Sequence, residues 1–426
     1  MPLFILGQAF HEGLASVPLL PSLLKVVPWL FVLYILKIYF SGATNKSESK
    51  LHGKVVLVTG GTSGVGEAVV RELAIAGAQI VLLTQHALND PFLVDHIDDL
   101  RNDTNNHLIT AEQVELASLH SIRTFATKWI DNSPPRRLDM VVLCANTMTA
   151  TKDIKSTVEG VELNWQINYL ANFHLLSILS PALRAQPPDR DVRVIFGTCN
   201  SYLGGDLLHI TSKGYAAAKA KKTPSATVEK SPTTFSPGNA YATSKLALTV
   251  FALAFQKHLS AYERPDKMPS TTHVVLVDPG YCRTPGMRRW LTWGSLFGLA
   301  VYMITYPFWW LVLKSPNMGA QSFLHAVMDS DYGRGEGGKL LKECKARTYL
   351  RKEVEDEAMQ KQLWEYSEQM VQEAEKRGAL ERAKLKRDEK EKVEEVEAEA
   401  ELRDYKEKVG KKAGVKQEGS RRSRKS

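Results

Sequence analysis

The residues with the clearest chemical potential are Tyr241 and Lys245, a phenol and an ammonium four positions apart in the stretch YATSK. On a helix this spacing places both side chains on one face. A neighbouring ammonium stabilises the phenolate and lowers the tyrosine pKa from about 10, which makes the hydroxyl usable as a general acid or base. Because the same spacing occurs on ordinary solvated helices, this interpretation also requires a cofactor site and a carbonyl site.

Upstream of this pair, a short apolar run at 54–59 leads into a glycine-rich turn and then into a helical pattern at 67–76. A buried strand, a glycine turn and a helix N-terminus in this order direct backbone N–H groups and the helix dipole at a pyrophosphate. A second strand predicted at 78–83 supports this interpretation over that of an ordinary glycine turn. The predicted cofactor-binding residues of the turn are Thr59, Gly60, Gly61, Thr62, Ser63, Gly64, Val65 and Gly66.

The residues after the second strand bear on which dinucleotide binds. A site that prefers NAD usually offers a carboxylate there to the ribose hydroxyls. This chain has Thr84, Gln85 and His86 instead, of which we take Gln85 as a cofactor contact. Since no acid stands there to repel a 2′-phosphate, the sequence favours NADP, and NAD stays open because no arginine stands there either.

Strand and helix patterns alternate through the rest of this region, with strands predicted at 110–116, 138–144, 192–197 and 273–277 and helices at 119–129 and 164–179. Repeated βαβ units of this length predict an α/β fold, a doubly wound parallel sheet of the Rossmann type, over residues 50–340. A polar stretch at 213–238, rich in Lys, Thr, Ser and Pro, is predicted to be a surface insertion in this domain.

Several motifs occur in a fixed order along 54–331: TGGTSGVG at 59–66, ELASL at 115–119, NYLANF at 168–173, YATSK at 241–245 and PG at 279–280 followed by Thr284. In these motifs the chain resembles the short-chain dehydrogenase/reductases, especially the branch that looks like membrane-associated retinol dehydrogenases. The resemblance implies that Tyr241 is the acid/base, that Lys245 lowers its pKa and holds the nicotinamide ribose, and that Asn168 anchors a proton-relay water. It also implies cofactor contacts from Glu115, Asn146, Pro279, Gly280 and Thr284.

The chain departs from the family pattern at two places. The element Asn-Asn-Ala-Gly falls on LCAN at 143–146, and the catalytic serine, which polarises the carbonyl oxygen, aligns with Cys199. A thiol is a poor hydrogen-bond donor. Three interpretations follow: Thr198 or Ser201 takes the role, the enzyme works with a weaker contact, or it does not turn over.

Two apolar segments point to a membrane. The first, at 17–40 within an N-terminal segment 1–45, is nearly long enough to span and is followed by several lysines, which places the next domain on the cytosolic side. It predicts a retained anchor or a membrane-lying helix, against a buried core helix or a removed presequence. The second, within 288–314, holds four tryptophans and predicts a membrane-dipping lid that admits a lipid, against an ordinary buried helix pair.

The C-terminal part, 342–412, is dense in Glu, Lys and Arg and predicts a charged helical arm, solvated or bound to a protein partner, before a basic disordered tail at 413–426. The net charge of +8 is modest, and with no base-readout motif we predict no nucleic-acid partner. The four cysteines lie far apart and show no metal-ligand spacing, so neither a metal site nor a disulfide framework is expected.

Together these features predict a membrane-associated, NADP-dependent oxidoreductase that interconverts a hydrophobic lipid alcohol (retinoid, polyisoprenoid, steroid or long-chain) and its aldehyde or ketone. We expect it on the endoplasmic reticulum or a lipid droplet, with the catalytic domain facing the cytosol. The alternatives are a catalytically impaired cofactor-binding scaffold or sensor that recruits partners through its arm, and a structural membrane protein without a nucleotide.

Overall fold

A single mixed sheet organises the computed structural model, which describes residues 20–149, 155–208, 210, 238–265, 267–268 and 270–422. The predicted insertion at 213–238 lies, except for Gly238, outside the described residues. The strand order is β3-β2-β1-β4-β5-β6-β7-β8. The strands are β1 (Val55–Thr59), β2 (Gln79–Thr84), β3 (Ile109–Gln113), β4 (Met140–Leu143), β5 (Val192–Gly197), β6 (Thr272–Asp278), β7 (Lys339–Lys342) and β8 (Lys345–Arg347).

Neighbouring strands from β1 to β7 run parallel, and β8 pairs antiparallel with β7. The helices that matter below are α1 (Leu20–Ser41), α2 (Gly64–Ile75), α3 (Pro91–Thr104), α4 (Leu119–Ile130), α5 (Ala171–Arg184), α6 (Ala240–Ser260), α7 (Pro285–Leu291), α8 (Leu296–Ile304), α9 (Tyr306–Val312), α10 (Pro316–Met328) and α11 (Glu357–Arg422). The predicted doubly wound parallel sheet is confirmed.

The central strands are continuous apolar runs because both faces of the sheet are covered. Every residue of β1, β4 and β6 is buried. Side chains of α2, α3 and α10 form one core cluster with one face of these strands, and α4 packs against α5 on the other side. Such a core holds the carboxyl ends of β1 and β4, where the strand order reverses, in a fixed place.

The C-terminal boundary differs from the prediction. The charged arm was expected from residue 342, whereas β7 and β8 extend the sheet to Arg347 and α11 begins at Glu357. The helix also passes Gly378 without a break and continues to Arg422, beyond the start of the predicted disordered tail at 413. Lysines at the ends of β7 make its pattern look like part of the charged run, although Leu340 and Leu341 between them are buried.

The first turns of α11 belong to the core rather than to a solvated arm. The Trp364 ring lies 5.4 Å from the Phe173 ring and 5.7 Å from the Phe251 ring. The hydroxyls of Tyr169 and Ser367 share a hydrogen bond of 2.5 Å. From Gln372 onward the described residues form a second compact unit, in which the predicted pairing of Glu373 with Arg377 is present at 3.7 Å.

In the part of the chain that the structure describes, no helix is long and apolar enough to cross a membrane. The predicted anchor is therefore not found there as a spanning helix. The helix α1 has 22 residues and contains Pro28.

Candidate active site

A cleft of about 670 Å³ opens at the carboxyl ends of the parallel strands, between the loops that follow β1 and β4. This is the place where an open α/β sheet binds its ligand, because the two loops diverge there. Almost all predicted site residues line the cleft, including Tyr241, Lys245, Asn146, Cys199 and Ser201. The exceptions are Asn168, Thr59 and Gly61, which lie behind the lining and support it.

The glycine turn is shaped by close backbone approach. Gly60 has a φ of +69°, and a Cβ atom there would lie 2.7 Å from the Ala145 backbone. A Cβ atom on Gly66 would lie 2.1 Å from the Gly60 carbonyl oxygen. Ala145 also donates its N–H to the Thr59 hydroxyl at 3.3 Å. The turn therefore packs against the loop after β4, and only glycine fits at both positions.

The N-terminus of α2 is available to an anion. Ser63 precedes the helix and makes no side-chain capping hydrogen bond. Ser63, Gly64, Val65 and Gly66 all line the cleft, where the first N–H groups of the helix lack helical partners. Together with the glycine turn, this arrangement fits the pyrophosphate of a dinucleotide.

Beside the cleft, close to the end of β2, lies a carboxylate that the sequence interpretation missed. Asp90 caps α3 and lies 2.9 Å from His86, between its Oδ2 and the imidazole Nδ1. Gln85 and His86 line the cleft, and Asp90 is outside its lining. Further along, Glu115 lines the cleft and accepts the Ala117 N–H at 3.0 Å. His86, two residues after the end of β2, thus holds the Asp90 carboxylate near the strand end, so the absence of an acid at 84–86 does not by itself favour NADP.

Tyr241 and Lys245 lie on the first turns of α6, as the YATSK spacing predicts. The Lys245 ammonium is buried, donates to the Gly197 carbonyl oxygen at 3.0 Å and lies 5.9 Å from the centre of the Tyr241 ring. Burial, and after it the Cys199 thiol, raises the pKa of Tyr241 well above its usual value of 10. Burial likewise lowers the pKa of Lys245. Contrary to the expected lowering, the pKa of Tyr241 departs upward from 10, and burial of the phenol is the largest cause.

Of the three residues considered for the place of the catalytic serine, Cys199 is the one that faces Tyr241. Its Sγ lies 3.4 Å from the Tyr241 hydroxyl oxygen. The Thr198 hydroxyl is buried and shares a hydrogen bond of 3.1 Å with Thr249. Ser201 lines the cleft from the turn Asn200–Gly204, and the described residues include no hydrogen bond between it and Tyr241. Thr198 is therefore directed into the core and away from the phenol.

Asn168 lies in a π-helical turn, Gln166–Leu170, that precedes α5. Its side chain is completely buried. Its amide holds the loop after β4 in both directions: it accepts the Thr147 N–H at 2.8 Å and donates to the Thr147 carbonyl oxygen at 2.9 Å. It also donates to Ser244 on α6 at 3.1 Å. The direct contacts of Asn168 therefore join the loop after β4 to the helix that carries Tyr241. The relay water that Asn168 is expected to anchor stays a prediction.

A direct contact to the phenol comes from Asn146, which we had assigned to the cofactor. Its side-chain Nδ2 donates to the Tyr241 hydroxyl oxygen at 3.2 Å. This hydrogen bond lowers the pKa of Tyr241 but does not offset burial. The sequence predicted a cofactor contact for Asn146 and gave no signal for its contact with the phenol.

The loop after β6 forms another wall of the cleft. Pro279, Gly280 and Thr284 line it, as predicted. Gly280 has a φ of +77°, and its N–H donates to the Asp278 carboxylate at 2.9 Å. Thr284 caps α7 by accepting the Met287 N–H. A nicotinamide dinucleotide fits this donor set, and when bound it supplies or accepts a hydride.

Comparison with known proteins agrees with the geometry. Residues 54–221 match the model of the short chain dehydrogenase family. The chain is 42% identical over 345 residues to an uncharacterized oxidoreductase of Schizosaccharomyces pombe, covering 80% of this chain and 87% of that protein. It is 27% identical to retinol dehydrogenase 13 of Homo sapiens, covering 79% and 90% of the two chains. It is 29% identical to polyprenol dehydrogenase of Mus musculus, covering 73% and 82%.

Among solved structures, a protein from Mycobacterium paratuberculosis with 20% identity aligns with a TM-score of 0.51 over 78% of this chain and 98% of its own. That likeness supports the fold alone. The family match and the yeast relative, together with the cleft that holds the Tyr241 and Lys245 side chains, show that the chain belongs to the short-chain dehydrogenase/reductase family of oxidoreductases.

Proposed function

We propose that the protein is a membrane-associated, NADP-dependent oxidoreductase that interconverts a hydrophobic lipid alcohol and its aldehyde or ketone. The observation that carries this proposal is the continuity between the cleft and an exposed apolar surface. Met287, Arg289 and Trp290 of α7 form part of the cleft wall. The helices that follow α7 in the chain present large apolar side chains to solvent, so a lipid substrate has an apolar route to the site.

We call the segment 285–312, which contains α7, α8 and α9, the lid. Its most exposed apolar side chains are Leu296 at 86%, Ile304 at 81%, Phe297 at 76%, Trp293 at 69% and Met303 at 68%. Large contiguous exposed apolar patches on soluble proteins mark interaction sites. Because Trp and basic side chains prefer the interface between water and lipid, a surface bearing Trp293 beside Arg288 and Arg289 fits a bilayer surface.

The two ends of the lid are tied to each other. Arg283 donates its N–H to the Lys314 carbonyl oxygen at 2.8 Å, and Lys314 donates its N–H to the Tyr281 carbonyl oxygen at 3.0 Å. The segment therefore leaves the sheet and returns to the same point. This closed path supports a lid that dips into a membrane from one side, which is what the apolar run at 288–314 predicted.

The N-terminal helix joins the same surface. The Lys37 ammonium on α1 donates to the carbonyl oxygen of Trp310 at 2.6 Å and to that of Leu313 at 3.3 Å. Side chains of α1 such as Trp29 and Tyr39 are 72% and 78% exposed. We therefore propose that α1 and the lid lie on one membrane together, on the endoplasmic reticulum or a lipid droplet, with the catalytic domain in the cytosol.

NADP is favoured by the side chain that lines the cleft after β2, which is His86. The Asp90 carboxylate, which would oppose a 2′-phosphate, lies outside the lining and is hydrogen-bonded to the His86 Nδ1 at 2.9 Å. An imidazole held by a carboxylate is a suitable partner for a phosphate. The ratio of NADH to NADPH dissociation constants, measured by fluorescence transfer from tryptophan, tests this part of the proposal.

The chain's own groups supply the proton chemistry. In the reductive direction, with a hydride supplied to the carbonyl carbon by the bound dinucleotide, the Tyr241 hydroxyl would give its proton to the carbonyl oxygen, which yields the alcohol. The Lys245 ammonium and the Asn146 amide then stabilise the phenolate, which regains a proton from solvent through the open cleft. The oxidative direction reverses each transfer. Two relatives under 30% identical are a retinol dehydrogenase and a polyprenol dehydrogenase, so retinoids and polyprenols are the first substrate classes to test here.

The decisive experiment compares lipid extracts from cells with and without the protein by mass spectrometry, alongside cells that express Tyr241→Phe. We expect one alcohol and carbonyl pair to change its ratio only with the active protein. Purified protein is then assayed with NADPH against all-trans-retinal, geranylgeranial, dodecanal and a 3-ketosteroid. If neither the extracts nor these carbonyls reveal turnover, the proposed function is wrong and the scaffold alternative is favoured.

Membrane binding of the lid is tested by replacing Phe297 and Ile304 together with serine. Both side chains are already exposed, so the core is unaffected. Removing two apolar side chains worth roughly 1.5 to 3 kcal/mol each on burial is expected to weaken binding to phosphatidylcholine vesicles at least tenfold. Val158→Ser is the matched control, since Val158 is 76% exposed and lies outside α1 and the lid. Equal vesicle sedimentation of all three proteins would contradict a membrane-dipping lid.

A further inference from the structure

The place where the family's serine hydroxyl would polarise the substrate carbonyl carries a thiol in this chain, and the cleft contains a better donor beside it. We propose that Asn146 takes over this task, so that its side-chain amide donates to the substrate oxygen in place of a serine hydroxyl. The proposal rests on the proposed function, since it assigns a residue to the same carbonyl chemistry.

The geometry places the amide where the substrate oxygen must bind. A carbonyl that receives the Tyr241 proton has its oxygen within hydrogen-bond reach of the phenol. The Asn146 Nδ2 is 3.2 Å from that phenol oxygen, and the Asn146 side chain is exposed to the cleft. A primary amide has two N–H donors, so one can remain on Tyr241 while the other meets the substrate oxygen.

The other candidates are weaker donors or are directed elsewhere. Cys199 reaches the phenol at 3.4 Å, but a thiol is a weak donor. Thr198 is committed to Thr249 inside the core. Because the Asn146 N–H donates to the Tyr241 oxygen, the phenol proton stays free to move to the substrate.

The amide is held in place before any substrate binds. Thr147, the next residue, is fixed in both directions by the buried Asn168. Thr149 donates its N–H to the Asn164 side chain at 3.2 Å, and Asn164 is also buried. Ala145, on the other side, is tied to Thr59. A donor on so constrained a loop needs little reorganisation in the transition state, which is the condition for effective stabilisation of a developing oxyanion.

The two departures from the family pattern are therefore linked. At 146 an amide replaces the family's glycine, and at 199 a thiol replaces its serine. Each change alone would either add or remove a donor at the substrate oxygen. Together they leave as many effective hydrogen-bond donors at the substrate oxygen as the family pattern has. We therefore predict that the two positions compensate for each other.

The test is a double-mutant cycle that restores the family residues: Asn146→Gly, Cys199→Ser and the combination, assayed with NADPH and all-trans-retinal, geranylgeranial or dodecanal. Asn146→Gly alone is expected to lower kcat by about 100-fold to 1,000-fold, the usual effect of losing one oxyanion donor. Cys199→Ser alone should raise kcat rather than lower it, because the serine hydroxyl adds a second donor beside the Asn146 amide. The double variant should recover most of the loss, because the serine hydroxyl then supplies the donor.

Asn146→Asp keeps the shape of the side chain without an N–H donor, and it should lose as much kcat as Asn146→Gly. Cys344→Ser is the matched control for a thiol-to-hydroxyl change outside the cleft. The NADPH dissociation constant, read by tryptophan fluorescence transfer, should stay the same in every variant. If Asn146 were a cofactor contact instead, that constant would rise and kcat would be retained.

The outcomes separate the two proposals. If the wild-type protein reduces one of the carbonyls and Asn146→Gly has the same kcat, the proposed role of Asn146 is wrong and the proposed function stands. A double variant as slow as Asn146→Gly would also overturn it. A wild-type protein that reduces none of these carbonyls would overturn both.

Discussion

Replacing Tyr241 with phenylalanine is expected to lower kcat by roughly 1,000-fold, within the range of about 10² to 10⁴ that a positioned acid/base contributes. The substitution removes only the hydroxyl, which accepts a hydrogen bond from the Asn146 amide and lies 3.4 Å from the Cys199 Sγ. The ring stays in place on α6, so the cleft and its cofactor contacts keep their shape. The rate is measured with NADPH and the carbonyl that the lipid comparison identifies.

Two further measurements make this result specific. The NADPH dissociation constant should stay within the error of wild type, since loss of a hydroxyl leaves the glycine turn intact. Tyr262→Phe is the matched control: Tyr262 is 39% exposed and its ring lies 5.0 Å from Arg184, away from the cleft. Wild-type turnover by Tyr241→Phe would rule out the acid/base role and with it the proposed mechanism.

The largest expected effect on stability comes from Arg193→Met, which should reduce the free energy of unfolding by about 3 to 5 kcal/mol. Arg193 is 2% exposed on β5. It donates to the carbonyl oxygens of Ala326, Val327 and Asp329 at 2.7, 3.0 and 2.6 Å, at the end of α10. It also pairs with Asp191 at 2.5 and 2.8 Å. The methionine would leave those groups buried without their donor.

Urea unfolding at pH 7 measures this change, with Arg71→Met as the control. Arg71 pairs with Asp103 at 2.9 Å, but the two side chains are 45% and 51% exposed. An exposed pair of this kind is worth less than about 1 kcal/mol. If both substitutions lowered the free energy of unfolding by the same amount, Arg193 would not be the link between the sheet and α10 that its contacts indicate.

The same pair predicts a pH dependence. Burial alone would raise the pKa of Asp191, but the hydrogen bonds and charge of Arg193 outweigh burial and hold it below its usual value of 3.8. A carboxyl with a lowered pKa contributes stability above its unfolded pKa and loses that contribution as the pH falls through the folded value. The difference in unfolding free energy between wild type and Arg193→Met should therefore narrow below about pH 4.

Local patterns predicted the elements that carry the cofactor. The run at 54–59 became β1, and 192–197 became β5 without a shift. The glycine turn and α2 follow as expected, because a buried strand and a glycine turn are encoded within about fifteen residues. The Tyr241 and Lys245 pair also depends only on helical spacing.

Long-range packing decided what those patterns left open. The short strands β7 and β8 carry too few apolar residues to be distinguished from the charged run that follows them. Trp364 and Ser367 looked like parts of a solvated helix, yet they contact side chains about 200 positions earlier, such as Tyr169. No local periodicity reports such contacts, since they depend on where α5 and α6 leave an apolar surface uncovered.

At the site, the sequence by itself determined the chemical types present: a phenol, an ammonium, a glycine turn, and a thiol where a serine was expected. Only the tertiary structure decided which of them meet. Thr198, directly after β5, is directed to Thr249, while Cys199, the next residue, is directed to Tyr241. Asn146 reaches the phenol because Asn168 and Thr59 hold its loop from both sides. Those contacts join residues that are distant in the sequence, so their geometry exists only once the sheet has formed.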